Sequence, residues 1–107
     1  MSIKICTKKI SIRELNQLAK EGFGDMVKGV VDLRRKILAL GGELHAEAEA
    51  VLLQDGSRQE DLWGFNIYPQ KSVLQRIEFT SLINIRPSQG NRSIEIQDPG
   101  LRKQIKE

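Results

Sequence analysis

The sequence is poor in the residues that would announce a specialised class. It holds a single cysteine, Cys6, and a single histidine, His45. One cysteine cannot close an internal disulfide, so no covalent staple is expected and a reducing compartment suits the chain. One histidine and one cysteine also fall short of the repeated, spaced ligands of a structural metal site. Aromatic residues make up only 5%. The longest apolar runs, such as Ile37 to Leu40 and Ala50 to Leu53, are far below the roughly 20 residues that cross a bilayer. No membrane partner is expected. The first ten residues scatter Lys4, Lys8 and Lys9 among isolated apolar positions, which is not the core of a secretory signal, and a cytoplasmic location follows as an expectation. There is no internal repeat, no low-complexity tract and no long Pro/Gly/Ser linker.

What is present fits one domain, residues 1–107. The chain has 107 residues, 39% of them hydrophobic and 29% charged, enough for one core. Its net charge of +3 is the small difference between 17 basic and 14 acidic residues. Two short basic groups stand out, Lys8-Lys9 and Arg34-Arg35-Lys36. A dedicated nucleic-acid binder clusters more charge on one face, so nucleic acid is the weaker candidate partner and solvated surface charge the plainer reading.

Periodicity predicts the elements. Ile3 and Ile5 alternate with polar neighbours as a short strand. Ser11-Ile12-Arg13-Glu14 has capping-box spacing and opens a helix with Leu15, Leu18 and Ala19 on one face, closed by Gly22 as a left-handed stop. Met26 to Leu33 and Ile37 to Leu40 read as a hairpin with the basic triplet at its tip. Ala46 to Leu53 favours helix, although Val51 to Leu53 also fits a short buried strand. Leu62 to Tyr68, with Trp63, Phe65 and Ile67 alternating, is a half-buried strand stopped by Pro69, and its aromatic residues read as core. Ile77 to Arg86 is the longest strand expected, with Ile77, Phe79, Ile83 and Ile85 on one face. Gln70 to Gln75 is too short for a parallel crossover, so the pairing should be antiparallel. Asp98-Pro99 opens a terminal helix through Leu101 and Ile105. The fold class is α+β: a small, mainly antiparallel sheet of about five strands with two to three helices.

Two stretches concentrate chemistry. The first runs from Asn84 through Arg86, Ser88, Gln89, Asn91, Arg92 and Ser93. Pro87 and Gly90 shape a loop whose amides and two guanidinium groups suit an anion, either a small ligand or a group on a protein partner. The competing expectation is a turn whose side chains satisfy local backbone groups. The spacing of a P-loop is absent. The second stretch holds Glu43 and His45, an acid/base pair if both lie at a strand end, with Arg86 or Arg92 stabilising negative charge in a hydrolase or transferase. That reading needs both stretches to meet in space. No nucleophile or third metal ligand accompanies them, so no metal and no cofactor is expected, and nothing near Cys6 marks a reactive thiol.

Phe23-Gly24-Asp25-Met26-Val27-Lys28, Gly41-Gly42-Glu43-Leu44-His45-Ala46, Leu62-Trp63-Gly64-Phe65-Asn66-Ile67-Tyr68-Pro69 and Ile83 to Ser93 together resemble a family of short bacterial proteins known only as a domain of unknown function. The resemblance covers nearly the whole chain and implies no activity. The residues themselves point first to a binding module, then to a homodimeric interaction subunit built on a free sheet edge or aromatic face, then to the enzyme.

Overall fold

A computed structural model describes residues 3–8, 10–72, 74–100 and 102. Alternating apolar residues place β1 at Ile3–Cys6, and Ser11 then caps α1, Ile12–Glu21, its Oγ accepting from the Glu14 amide at 3.2 Å. The carboxylate of Glu14 turns to Lys4 at 2.7 Å and is held below its ordinary pKa by that hydrogen bond first, so the helix start is tied to β1. The helix stops at Gly22, but the left-handed residue is Gly24, at φ 95°, whose amide donates to Ala19 O at 2.6 Å. The stop is therefore two residues wider than the sequence suggests.

The β-branched run gives β2, Val27–Asp32, which turns back into β3, Ile37–Gly41. Asp32, fully buried, shapes the turn by accepting from the amides of Arg34 and Arg35, each at 2.9 Å. The basic tip is not a free cationic patch. Arg34 pairs with Asp61 at 3.2 Å, and Arg35 with Asp55 at 2.7 Å and Ser57 at 2.9 Å.

Helix α2, His45–Gln54, follows. Leu44 offers no acceptor at its N-cap, so Glu47 reaches back instead and takes the Glu43 and Leu44 amides at 2.8 Å each. β4, Leu62–Ile67, is buried along its whole length. β5 is only Ile77–Glu78. The five strands form one antiparallel sheet in the order β1-β3-β2-β4-β5.

Each face carries its own core. Leu15 and Ala19 of α1 pack with Val27, Val31, Leu40, Trp63, Phe65 and Ile67, closed over by Phe79 and Ile96. Ala48 and Leu52 of α2 pack with Val30, Ile37, Ala39 and Leu62 on the other face. Trp63 and Phe65 are thus core residues, as their period of two implies.

The expected long strand from Ile77 to Arg86 is not one. After Glu78 the chain makes only isolated bridges, Thr80 to Glu95 and Arg86 to Asn91, and two tight turns, Leu82–Asn84 and Pro87–Gln89. Ser81 opens the first by accepting from the Ile83 amide at 3.3 Å. Side chains take over the role of a fifth long strand. Along the edge of β4 that β5 leaves uncovered, the Asn84 carboxamide accepts from Gly64 N at 2.8 Å and donates to Gly64 O at 2.9 Å, imitating a peptide unit. Arg86 donates to the carbonyl of Leu62 one pair further along. At the C-terminal end, Asp98 accepts from the Gly100 amide at 2.7 Å as a helix opener does, while Leu101 and Ile105, on which the terminal helix was expected to continue, lie outside the described residues.

Candidate binding groove

The stretch from Asn84 to Ser93 is mostly turned inward. Arg86 is 9% exposed, and burial lowers its pKa while nearby Glu49 works the other way. Its guanidinium donates to Ile83 O at 3.1 Å, Gln59 O at 2.6 Å, Gln89 Oε1 at 3.4 Å and Leu62 O, and stacks 4.7 Å from the Trp63 ring centroid. Four of its five N–H groups are spent on these oxygens, and Nη2, which carries the fifth, lies 3.9 Å from the Glu49 carboxylate. Asn91 is as fully used. Its amide nitrogen donates to Asn84 O, Ser93 O and Glu95 O, and its oxygen accepts from Gln97 N. Asn84 adds a bond to Ile94 O at 3.1 Å. Ser93 Oγ accepts from the Glu95 amide at 3.1 Å, and Gln89 Nε2 donates to Glu60 O at 2.9 Å. Ser88 and Arg92 are exposed. Gly90 takes the left-handed conformation at φ 79°, as the loop requires. Asn84, Arg86 and Asn91, three of the residues expected to face an anion, instead bond within the loop and to β4, where buried backbone groups have no strand to pair with.

Glu43 and His45 do not form a pair. His45, the first residue of α2, is buried, and its Nε2 lies 2.8 Å from Phe65 O. That contact fixes Nε2 as the protonated nitrogen. Burial lowers its pKa first, with Lys28 adding to the effect and Phe65 O, Asn66 and Glu78 opposing it. Glu43 is exposed, and its amide serves only the Glu47 cap. Nor do the two stretches meet at their reactive ends. His45 sits on Phe65 and Arg86 on Leu62, three residues apart along β4, or roughly 10 Å at a strand rise of about 3.4 Å per residue. The imidazole is a core histidine that bonds a strand carbonyl. Cys6 is buried with its pKa raised by that burial. Among the described residues no group of three or more His, Cys, Asp or Glu is placed to hold a metal ion.

What the loop does create is a groove. Glu49 from α2, the segment from Arg58 to Glu60, and the two turns carrying Leu82, Ile83, Ile85 and Pro87 to Gln89 enclose an open concavity with Arg86 in its floor. Leu82 is 78% exposed and Ile85 45%, so the turns present apolar side chains to solvent on its wall. Beside Arg86 lies Glu49, its side chain 14% exposed, at 3.9 Å from Nη2. Its Oε2 is buried with no hydrogen-bond partner. Glu49 carries no signal in the sequence: it is one of two glutamates in an Ala/Glu-rich helix and is singled out only by the face it occupies. Leu82 was likewise hidden within an apparent strand.

The fold places the chain in a recognisable class: a small α+β domain, one antiparallel sheet with a helix on each face and a side-chain-capped edge. Over residues 4–107 it matches the model of a family described as "Protein of unknown function (DUF5674)", and it belongs to that family. No curated protein and no solved structure matches it. Among the described residues no helix is long and apolar enough to cross a membrane.

Proposed function

We propose that the protein is a binding module whose groove, walled by the Arg86–Ser93 loop and the turn before it, receives a segment of a protein partner. The observation that carries this reading is the exposure of Leu82 and Ile85 beside a nearly buried carboxylate, on turns that Asn84, Arg86 and Asn91 hold rigidly. Leu82 and Ile85 share the wall of one concavity, which sets them apart from apolar residues exposed singly elsewhere. Arg92 and Ser88, exposed on the same loop, remain the positions for any anionic group the partner brings. A bacterial, cytoplasmic setting belongs to the proposal, supported by the unpaired thiol of Cys6 and the family resemblance.

Peptides selected from a displayed random library against the full chain test it. Bound peptides should shift the amides of Leu82 to Gln89 and of α2, and Leu82→Asp should weaken them by about ten-fold or more, the loss of roughly 1.4 kcal/mol. Selected peptides that all map elsewhere would overturn the groove as the site. A second copy of the chain is the other occupant with this chemistry. Sedimentation that gives a dimer dissociated by Leu82→Asp would assign the groove to self-association instead.

A further inference from the structure

The floor of the groove narrows the partner's chemistry further than its walls do. Resting on the groove reading above, we propose that the partner inserts an aromatic side chain whose ring lies flat on the guanidinium of Arg86. The N–H groups of a guanidinium all lie in its plane, so its hydrogen bonds engage only its edges. In Arg86 those edges are occupied. Nε donates to Ile83 O, Nη1 to Gln59 O and Gln89 Oε1, and Nη2 to Leu62 O, with Glu49 3.9 Å away on its remaining side. One of the two faces is covered by Trp63, whose ring centroid lies 4.7 Å from Cζ. Arg86 still forms part of the concavity, and what this bonding leaves to the groove is the opposite face. The face of a guanidinium offers no hydrogen bond, but it attracts the negative face of an aromatic ring, most strongly where the cation is partly desolvated. Ionic recognition finds no unanswered charge here, because the charged groups lining the concavity stand in pairs, Arg86 with Glu49 and Arg58 with Glu60 at 3.8 Å. A charged side chain entering the groove loses hydration without an opposite charge to replace it, whereas a neutral ring loses little. Leu82 and Ile85 line the same concavity and supply aliphatic surface to the flanks of the ring. The result is a continuous stack of Trp63, Arg86 and the partner's aromatic group.

The test titrates three neutral probes into the isotope-labelled full chain and follows its amide and arginine Nε–H resonances. N-acetyl-phenylalanine methylamide carries the ring, the cyclohexylalanine analogue the same bulk without π electrons, and the leucine analogue a smaller aliphatic group. The phenylalanine probe should shift Leu82 to Gln89 and bind about three-fold or more tighter than cyclohexylalanine, although the saturated ring is the more hydrophobic of the two. It alone should move the Arg86 Nε–H resonance upfield, since a proton held over a ring face is shielded. Equal or tighter binding of cyclohexylalanine at the groove overturns the inference and leaves the groove standing. The comparison needs only the native chain, so no variant has to fold for it to be decisive. Absence of shifts at Leu82 to Gln89 with all three probes overturns both the inference and the groove.

Discussion

At the scale of single residues, the edge of β4 depends on side chains standing where backbone would be. Asn84 makes three buried bonds, two to Gly64 and one to Ile94 O, so Asn84→Ala strands several polar groups and should cost about 3 kcal/mol. Denaturant midpoints measured with an unchanged m-value would check it. Asn84→Asp should be no milder, because it turns a second acceptor toward two carbonyl oxygens. Gly64 answers to the same geometry. A Cβ there would stand 2.6 Å from Ser81 Cβ and 2.7 Å from its Oγ, so Gly64→Ala should destabilise by roughly 1–3 kcal/mol even though its φ suits any residue. A loss below about 0.5 kcal/mol would mean that the 81–84 turn gives way easily. These roles were hard to read in advance. An asparagine and an arginine at alternate positions look like the polar face of a strand, and only coordinates show that their side chains reach sideways to another strand's backbone.

At the scale of elements, local signals succeeded wherever the bonds they predict are local. Ser11 and Glu14 lie three residues apart and meet across one helical turn, so α1 was legible, and Ser11→Ala should cost about 1 kcal/mol. The β2-β3 hairpin was legible for the same reason, since a valine-rich run and the apolar run from Ile37 to Leu40 flank a short turn shaped by Asp32. α2 also formed as its composition implied, which resolves the alternative of a strand at Val51 to Leu53 in favour of helix. The segment from Ile77 to Arg86 failed because alternation states which way side chains point, not whether a partner backbone is alongside. Ser81 captures the Ile83 amide and bends the chain out of the ladder before it can pair. The same bend exposes Leu82 and Ile85 and so creates the groove, which is why the candidate site was displaced from where the loop composition put it.

At the scale of the molecule, the placement of the two helices follows from strand order. β1 and β2 run the same way, joined through α1 across β3, while β3 and β4 run the opposite way, joined through α2 across β2. Both connections travel in the same sense over strands of opposite direction, so equal right-handedness requires opposite faces, and the two cores are found there. Nothing in the sequence fixes that order, since it depends on which strands adjoin. Acid should loosen the assembly in two stages. His45 is neutral in the fold with its pKa pushed below the ordinary 6.5 by burial, so the unfolded chain binds its proton first. Its contribution is complete above about pH 6.5 and is lost as pH falls toward the folded value. Glu47 and Glu14 lie below their ordinary 4.5 through the backbone amides of Leu44 and Glu43 and through Lys4, and their contributions disappear at still lower pH. Unfolding midpoints taken between pH 7.5 and 5 should decline, and His45→Gln should flatten the upper stage. The outermost strand β1 has one neighbour, and it carries the chain's sole thiol with its side chain shielded. Modification of Cys6 by a thiol reagent therefore clocks how often that strand peels away. A rate much faster than global unfolding allows would show the margin of the sheet to be a door that opens while the rest stays shut.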